Sequence, residues 1–141
     1  MVHHHKARRL ALQGLCCLDC QGRSAIDLVI DFVEDAHDSE PTIQAARSLM
    51  LDTYHDLEQA DRVLSRHARH WELGRLALVD RNILRIAVHE MLSGRTPVKV
   101  AIAEGIRLAK EFSSAESPRF VNGILDAVAR EFHRHTTHED R

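Results

Sequence analysis

The sequence predicts an all-α fold of about six or seven helices within one domain covering residues 1–141. Three observations carry that expectation. Apolar residues recur three and four positions apart along almost the whole chain, the period of a helix with one buried face. No segment sustains the alternation of β-branched residues that a half-buried strand requires. Residues suited to helix boundaries fall where apolar stripes begin and end, at Ser93-Gly94, Thr96-Pro97 and Ser117-Pro118.

Each element follows from that period. Ala7, Leu10, Ala11, Gly14, Leu15 and Leu18 fall on one side of an amphipathic first helix. Ile26 to Val33 forms a short second helix, followed by the acidic loop Glu34 to Glu40, with Pro41 near the next start. Ala46, Leu49, Met50, Thr53, Leu57, Ala60, Leu64 and His67 line one face of a long third helix. The region Trp71 to Asp80 holds a short turn or helix. A central helix follows, in which Val79, Ile83, Leu84, Ile86, Ala87, Val88, Met91 and Leu92 are apolar around most of the circumference, the pattern of burial on several sides. Ser93-Gly94 ends it, Thr96-Pro97 opens the helix Val98 to Phe112, and a polar link, Ser113 to Glu116, leads to the last helix.

In that last helix Ser117 is the expected N-cap and Pro118 the first helical residue, where a missing N–H costs nothing. Phe120, Val121, Ile124, Leu125, Val128, Ala129 and Phe132 make its apolar stripe. Asn122 and Gly123 interrupt it although both are poor helix formers, glycine by about 1 kcal/mol relative to alanine. Close helix packing at Gly123 and a polar group at the surface edge at Asn122 are the expected reasons. From His133 onward the apolar period stops, and residues 134–141 are expected to form a disordered tail.

Apolar residues are 44% of the chain and charged residues 28%, which excludes disorder throughout. No apolar run approaches the roughly 18 residues of a membrane span. The start lacks the apolar core of a signal peptide, so a cytoplasmic protein is expected. The net charge of −2 conceals segregation. Asp27 to Asp61 holds ten acidic residues against Arg47 alone. Arg75 to Lys110 holds seven basic residues against Asp80, Glu90 and Glu104. The first helix region carries Lys6, Arg8 and Arg9. Such a chain can offer a basic face to a polyanion and an acidic face to a basic protein.

Most chemistry is excluded by what the residues lack. Cys16, Cys17 and Cys20 cluster without the second, well-spaced pair that a zinc site uses, so thiols packed at a helix interface are the simpler reading and no metal is expected. The eleven histidines share no metal motif, and His67 and His70 lack a third ligand. There is no nucleophile elbow, phosphate-cradling loop or dinucleotide fingerprint, hence no enzyme and no cofactor. The basic start remains: Lys6, Arg8 and Arg9, with His3 to His5, suit phosphate contacts whose strength depends on salt.

Three segments stand out: Lys6-Ala-Arg-Arg-Leu-Ala-Leu-Gln-Gly-Leu15; Trp71 to Glu90, with Val-Asp-Arg-Asn-Ile-Leu-Arg-Ile-Ala-Val-His-Glu; and Pro97 to Asp126, ending in Phe-Val-Asn-Gly-Ile-Leu-Asp. Together they resemble the NusB family of bacterial transcription antitermination factors. The resemblance implies two small helical bundles packed together and a non-enzymatic role. Its members pair with NusE, a small-subunit ribosomal protein, and the pair grips boxA of nascent RNA within the RNA polymerase antitermination complex, notably on ribosomal RNA transcripts. Carried over by position, it assigns RNA contacts to Lys6, Arg8, Arg9, Gln13, Arg119, Phe120 and Asn122. It assigns partner contacts to Cys16, Asp80 and Glu116. Phe120 is expected either to stack on an unpaired base or to head the apolar stripe of the core. Cys16 replaces a usual aromatic residue, and Ala103 a usual asparagine. Two alternatives stay open: a self-associating protein, dimeric through its partner surface, and an RNA-binding accessory domain of an RNA methyltransferase system.

Overall fold

A computed structural model describes residues 1–68 and 73–139, with the side chains of Leu73 and of residues 134–139 left aside. The expected turn beginning at Trp71, and His70 of the histidine pair, fall partly or wholly outside the described residues. Among the described residues there are seven α-helices, two short 3-10 turns and no strand. The chain divides into two compact units, Met1–Leu57 and Glu58–Arg141.

The first unit holds α1 (His4–Gln21), α2 (Ile26–Glu34) and α3 (Glu40–His55), with α1 packed on both of the others. Ala7, Ala11, Leu12, Leu15 and Leu18 of α1 meet Val29 and Val33 of α2 and Ile43, Ala46, Leu49 and Met50 of α3 in one core. Gly14 permits the approach: a Cβ there would lie 2.2 Å from the Met50 sulfur and 3.1 Å from Val29 Cγ1. α1 stops at Gly22, whose φ of 87° lies in the left-handed region while its N–H bonds to the Leu18 carbonyl at 2.7 Å. α3 starts as its sequence dictates, with the Ser39 hydroxyl accepting from the Thr42 N–H at 3.4 Å and Pro41 in the first turn. The same cap secures the chain ahead of α1. The His3 N–H donates to Thr42 Oγ1 at 3.0 Å, and the Ser39 hydroxyl to the Met1 carbonyl at 3.3 Å.

The expected long third helix is two helices. The stripe runs on in sequence, but Asp56 stands at a break with φ −102° and ψ 19°, and α4 (Leu57–His67) begins beyond it. The physical reason is that the stripe serves two cores. Ala46, Leu49, Met50 and Thr53 are buried in the first unit, whereas Ala60, Val63 and Leu64 are buried in the second.

In the second unit α5 (Leu78–Ser93) packs against α6 (Val98–Phe112) and α7 (Ser117–Glu139), which also pack on each other. α5 is buried from Asn82 to Met91, as its nearly circumferential apolar pattern predicted, and ends at Gly94 with φ 67°. Its buried Arg85 forms a two-pronged pair with Asp61 of α4, at 2.8 and 2.9 Å, and donates to Asn82 Oδ1 at 3.3 Å. The Thr96 hydroxyl donates to the buried Glu90 carboxylate. Arg66 of α4 pairs with Glu131 of α7 at 2.7 and 3.0 Å. α6 approaches its neighbours at Gly105, where a Cβ would meet Leu125 Cδ1 at 3.0 Å.

Two expectations for α7 change. Gly123 serves no close packing, because it is exposed and a Cβ there would meet nothing within 4 Å. Gly14 and Gly105, both on buried faces, are the close-packing glycines. Ser117 lies inside the helix instead of capping it: the Phe120 N–H bonds to the Glu116 carbonyl at 3.2 Å, which places Glu116 at the cap position. The helical backbone of α7 continues to Glu139, and residues 140–141 of the expected tail lie outside the described residues.

Candidate nucleic-acid interface

α1 places Lys6, Arg9 and Gln13 on one exposed face, because residues at i, i+3 and i+7 are neighbours along a helix. Together with Leu10 they form one wall of a groove of about 210 Å³. Ala36, His37 and Asp38, from the loop that follows α2, form the other wall. Arg8 departs from the expectation. It is 8% exposed, and it stands at i−4 and i−7 from the core residues Leu12 and Leu15, on the buried side of α1. It is not among the residues that line the groove.

The groove is basic but not uniformly so. Asp38 Oδ2 lies 3.5 Å from the Lys6 ammonium, and Asp38 Oδ1 lies 4.0 Å from His3 Nδ1. The Ser39 N–H, donating to Asp38 Oδ1 at 2.7 Å, holds this carboxyl below the usual aspartate range; partial burial opposes that shift, and Lys6 and His3 add to it. The groove thus contains a carboxylate already engaged with one of its own cations. Asp38 and His37 went unnoticed in the sequence because they come from an acidic loop more than twenty residues away, and no local pattern ties that loop to α1.

A second groove, of about 240 Å³, lies in the second unit and is lined by Phe120, Glu116, Ser117, Ser114, Asp80, Ala77, Leu76 and Arg75. Phe120 is half-buried in its wall, outside the fully buried set formed by Val121, Ile124, Leu125 and Val128. The ring thus borders a surface groove. Asp80 differs from a partner-facing carboxylate. It is 8% exposed, and it accepts from the Ser113 hydroxyl at 2.6 Å and from the Ser117 hydroxyl at 3.0 Å. The Ser117 hydroxyl also lies 2.8 Å from those of Ser113 and Ser114. Asp80 therefore fixes the start of α7, and with it the position of Phe120.

The remaining expected residues lie outside these grooves. Arg119 and Asn122 are exposed on α7, on a stripe shared with Gly123 and Asp126, and neither lines the Phe120 groove. Glu116 is exposed at its rim. Cys16 is half-buried on α1, and none of the three cysteines is in a disulfide. Among the described residues no group of three or more His, Cys, Asp or Glu could hold a metal ion, and no helix is long and apolar enough to cross a membrane.

Comparison with known proteins agrees with this architecture. The model of the NusB family matches residues 5–130. The transcription antitermination protein NusB of Solibacter usitatus is 40% identical over 133 residues, covering 93% of this chain and 91% of its own length. The NusB structure of T. maritima superposes with a TM-score of 0.84 at 30% identity, over 93% of this chain and 94% of that one. A crystal structure of the antitermination factors NusB and NusE in complex with double-stranded RNA shares the fold, with a TM-score of 0.77 at 23% identity over 91% of this chain and 96% of that one. Matched by the family model over most of its length, and by a relative that it covers almost end to end, the chain belongs to the NusB family.

Proposed function

We propose that the chain is a transcription antitermination factor acting as a non-enzymatic, RNA-binding adaptor in the cytoplasm. In this reading it pairs with a NusE ribosomal protein and holds a boxA-like single strand of nascent RNA. The observation that carries it is the exposed face of α1, on which Lys6, Arg9 and Gln13 line one groove. Two cations and an amide along one helix face suit contacts to a phosphate backbone, and the N-terminal end of α1 adds the positive pole of its dipole. Support comes also from the NusB relatives, named for transcription antitermination, and from the fold neighbour solved with NusE and RNA. Phe120, held by the anchoring of α7 to Asp80, supplies the ring for base stacking. Glu116, exposed beside it, and Cys16 are assigned to the partner contact. Arg119 and Asn122 are assigned to the RNA from the exposed stripe of α7.

The test is RNA binding as a function of salt, against boxA and a scrambled strand, with and without NusE. Changing Lys6 and Arg9 together to Ala should reduce the logarithmic salt slope by about 1.4, from roughly 0.7 per single-strand phosphate contact. Arg8→Ala should leave the slope unchanged and lower stability instead. Equal affinity for both strands in the presence of NusE, or an unchanged slope in the double variant, refutes the proposal.

A further inference from the structure

α2 turns Val29 and Val33 into the core of the first unit and leaves Leu28 and Phe32 outside it, 67% and 52% exposed. The two are one helical turn apart, so they form a single apolar ridge. Two large apolar side chains side by side in water are an unusual expense for a helix only nine residues long. The surroundings of the ridge are acidic. Asp27 and Asp31 flank it on α2, and Glu34 and Asp35 close its end, all exposed. Glu34 is the one engaged by Arg47 of α3, at 3.2 Å. Arg23, in the 3-10 turn ahead of α2, is the nearby cation at the other end. The ridge thus sits in a field of net negative charge.

From this juxtaposition we infer that the exposed face of α2 docks a basic amphipathic segment of a partner protein, with aliphatic side chains on Leu28 and Phe32 and lysines or arginines on the carboxylates. Charge selects this occupant. RNA would bring phosphates against Asp27, Asp31 and Asp35. An anionic membrane surface would be repelled for the same reason. A second copy related by a two-fold axis would set each acidic rim against its own image. A basic helix with apolar residues at i and i+3 or i+4 satisfies both the ridge and the rim. The face is distinct from the Lys6 groove, and the inference does not depend on the RNA reading.

The experiment uses the full chain and a helix-forming peptide with leucine on one face and lysine on the other, beside a counterpart in which glutamate replaces lysine. Saturable binding of the lysine peptide is expected, with amide chemical-shift changes centred on α2. Leu28→Ser with Phe32→Ser should weaken it by about 10-fold or more, the loss typical of a central apolar contact. Asp27→Asn with Asp31→Asn should weaken it and flatten its salt dependence. These positions are exposed, and unchanged circular dichroism spectra and urea midpoints for both variants would show that they fold normally. Equal binding by wild type and the Leu28→Ser, Phe32→Ser variant overturns the inference. Equal binding of the glutamate peptide overturns it as well. Self-association of the chain that is lost with Phe32→Ser would give the face to a second copy and overturn it too.

Discussion

The same substitution should have opposite effects at two glycines, and the contrast can be worked from geometry. At Gly14 a new methyl would lie 2.2 Å from the sulfur of Met50 and 3.4 Å from its Cγ, with Val29 Cγ1 at 3.1 Å. Met50 and Val29 are both buried in the first core, so neither can move toward solvent. Overpacking of this kind costs about 1–3 kcal/mol, and the helix propensity of alanine returns about 1 kcal/mol. Gly14→Ala should therefore destabilise, by up to about 2 kcal/mol when these terms are taken together. At Gly123 nothing lies within 4 Å of the new methyl and the backbone is ordinary helix, so only the propensity gain remains. Gly123→Ala should stabilise by up to about 1 kcal/mol. Urea denaturation followed by far-ultraviolet circular dichroism reads both, provided the slope with denaturant stays constant. Pairing Gly14→Ala with Met50→Ala should give a loss smaller than the sum of the single losses, because the truncation removes the clash. Stabilisation by Gly14→Ala, or destabilisation by Gly123→Ala, would refute the packing argument.

Other consequences can be measured in the same way. Asp38→Asn keeps an oxygen for the Ser39 N–H but releases Lys6, so RNA affinity should rise by about 2- to 5-fold, the scale of an exposed ion pair, in a low-salt titration; weaker binding would contradict the competition. Asp61→Ala removes the two-pronged carboxylate contact to the buried Arg85 guanidinium, and should cost about 2 kcal/mol in chemical denaturation, below the full buried-pair value because Asp61 is partly exposed. Glu131 is held below its ordinary value of 4.5 chiefly by its hydrogen bonds with Arg66. Its stabilisation is therefore complete above that value and is lost as pH falls through its lowered folded-state pKa. Because Arg66 is half exposed, Glu131→Gln should remove only about 0.5–1 kcal/mol of that acid-side dependence. A stability difference between wild type and variant that does not shrink as pH falls below 4.5 would contradict the assignment.

What could be read from the sequence depended on whether a local period decided it. α6 begins at Val98 and ends at Phe112 as expected, because its stripe and its flanking Pro97 and Ser113 are all local signals. The break at Asp56 was hidden because the apolar stripe passes through it unchanged, and only the burial of its two halves in separate cores divides it. Arg8 could have been separated from Lys6 and Arg9: it shares a helical face with Leu12 and Leu15, a period that its charge obscured. Gly14 and Gly123 differ in the same way, one on the apolar stripe and one off it. The groove walls were not legible. Asp38 reaches Lys6 through the capped turn that begins α3, and Asp80 reaches Ser117 across 37 residues of chain. Such pairings are set by tertiary packing, which leaves no periodic trace.

The carboxylate seated in the Lys6 groove also bears on what the groove would ignore. A lone phosphate arriving there exchanges one ion pair for another, since Lys6 is already matched by Asp38, and gains little. A strand that reaches Lys6, Arg9 and Gln13 together sets several new contacts against the loss of the Lys6–Asp38 pair. If the proposed RNA contact is made there, Asp38 would act as a threshold on ligand valency, favouring extended polyanions over the small phosphates that crowd any cell.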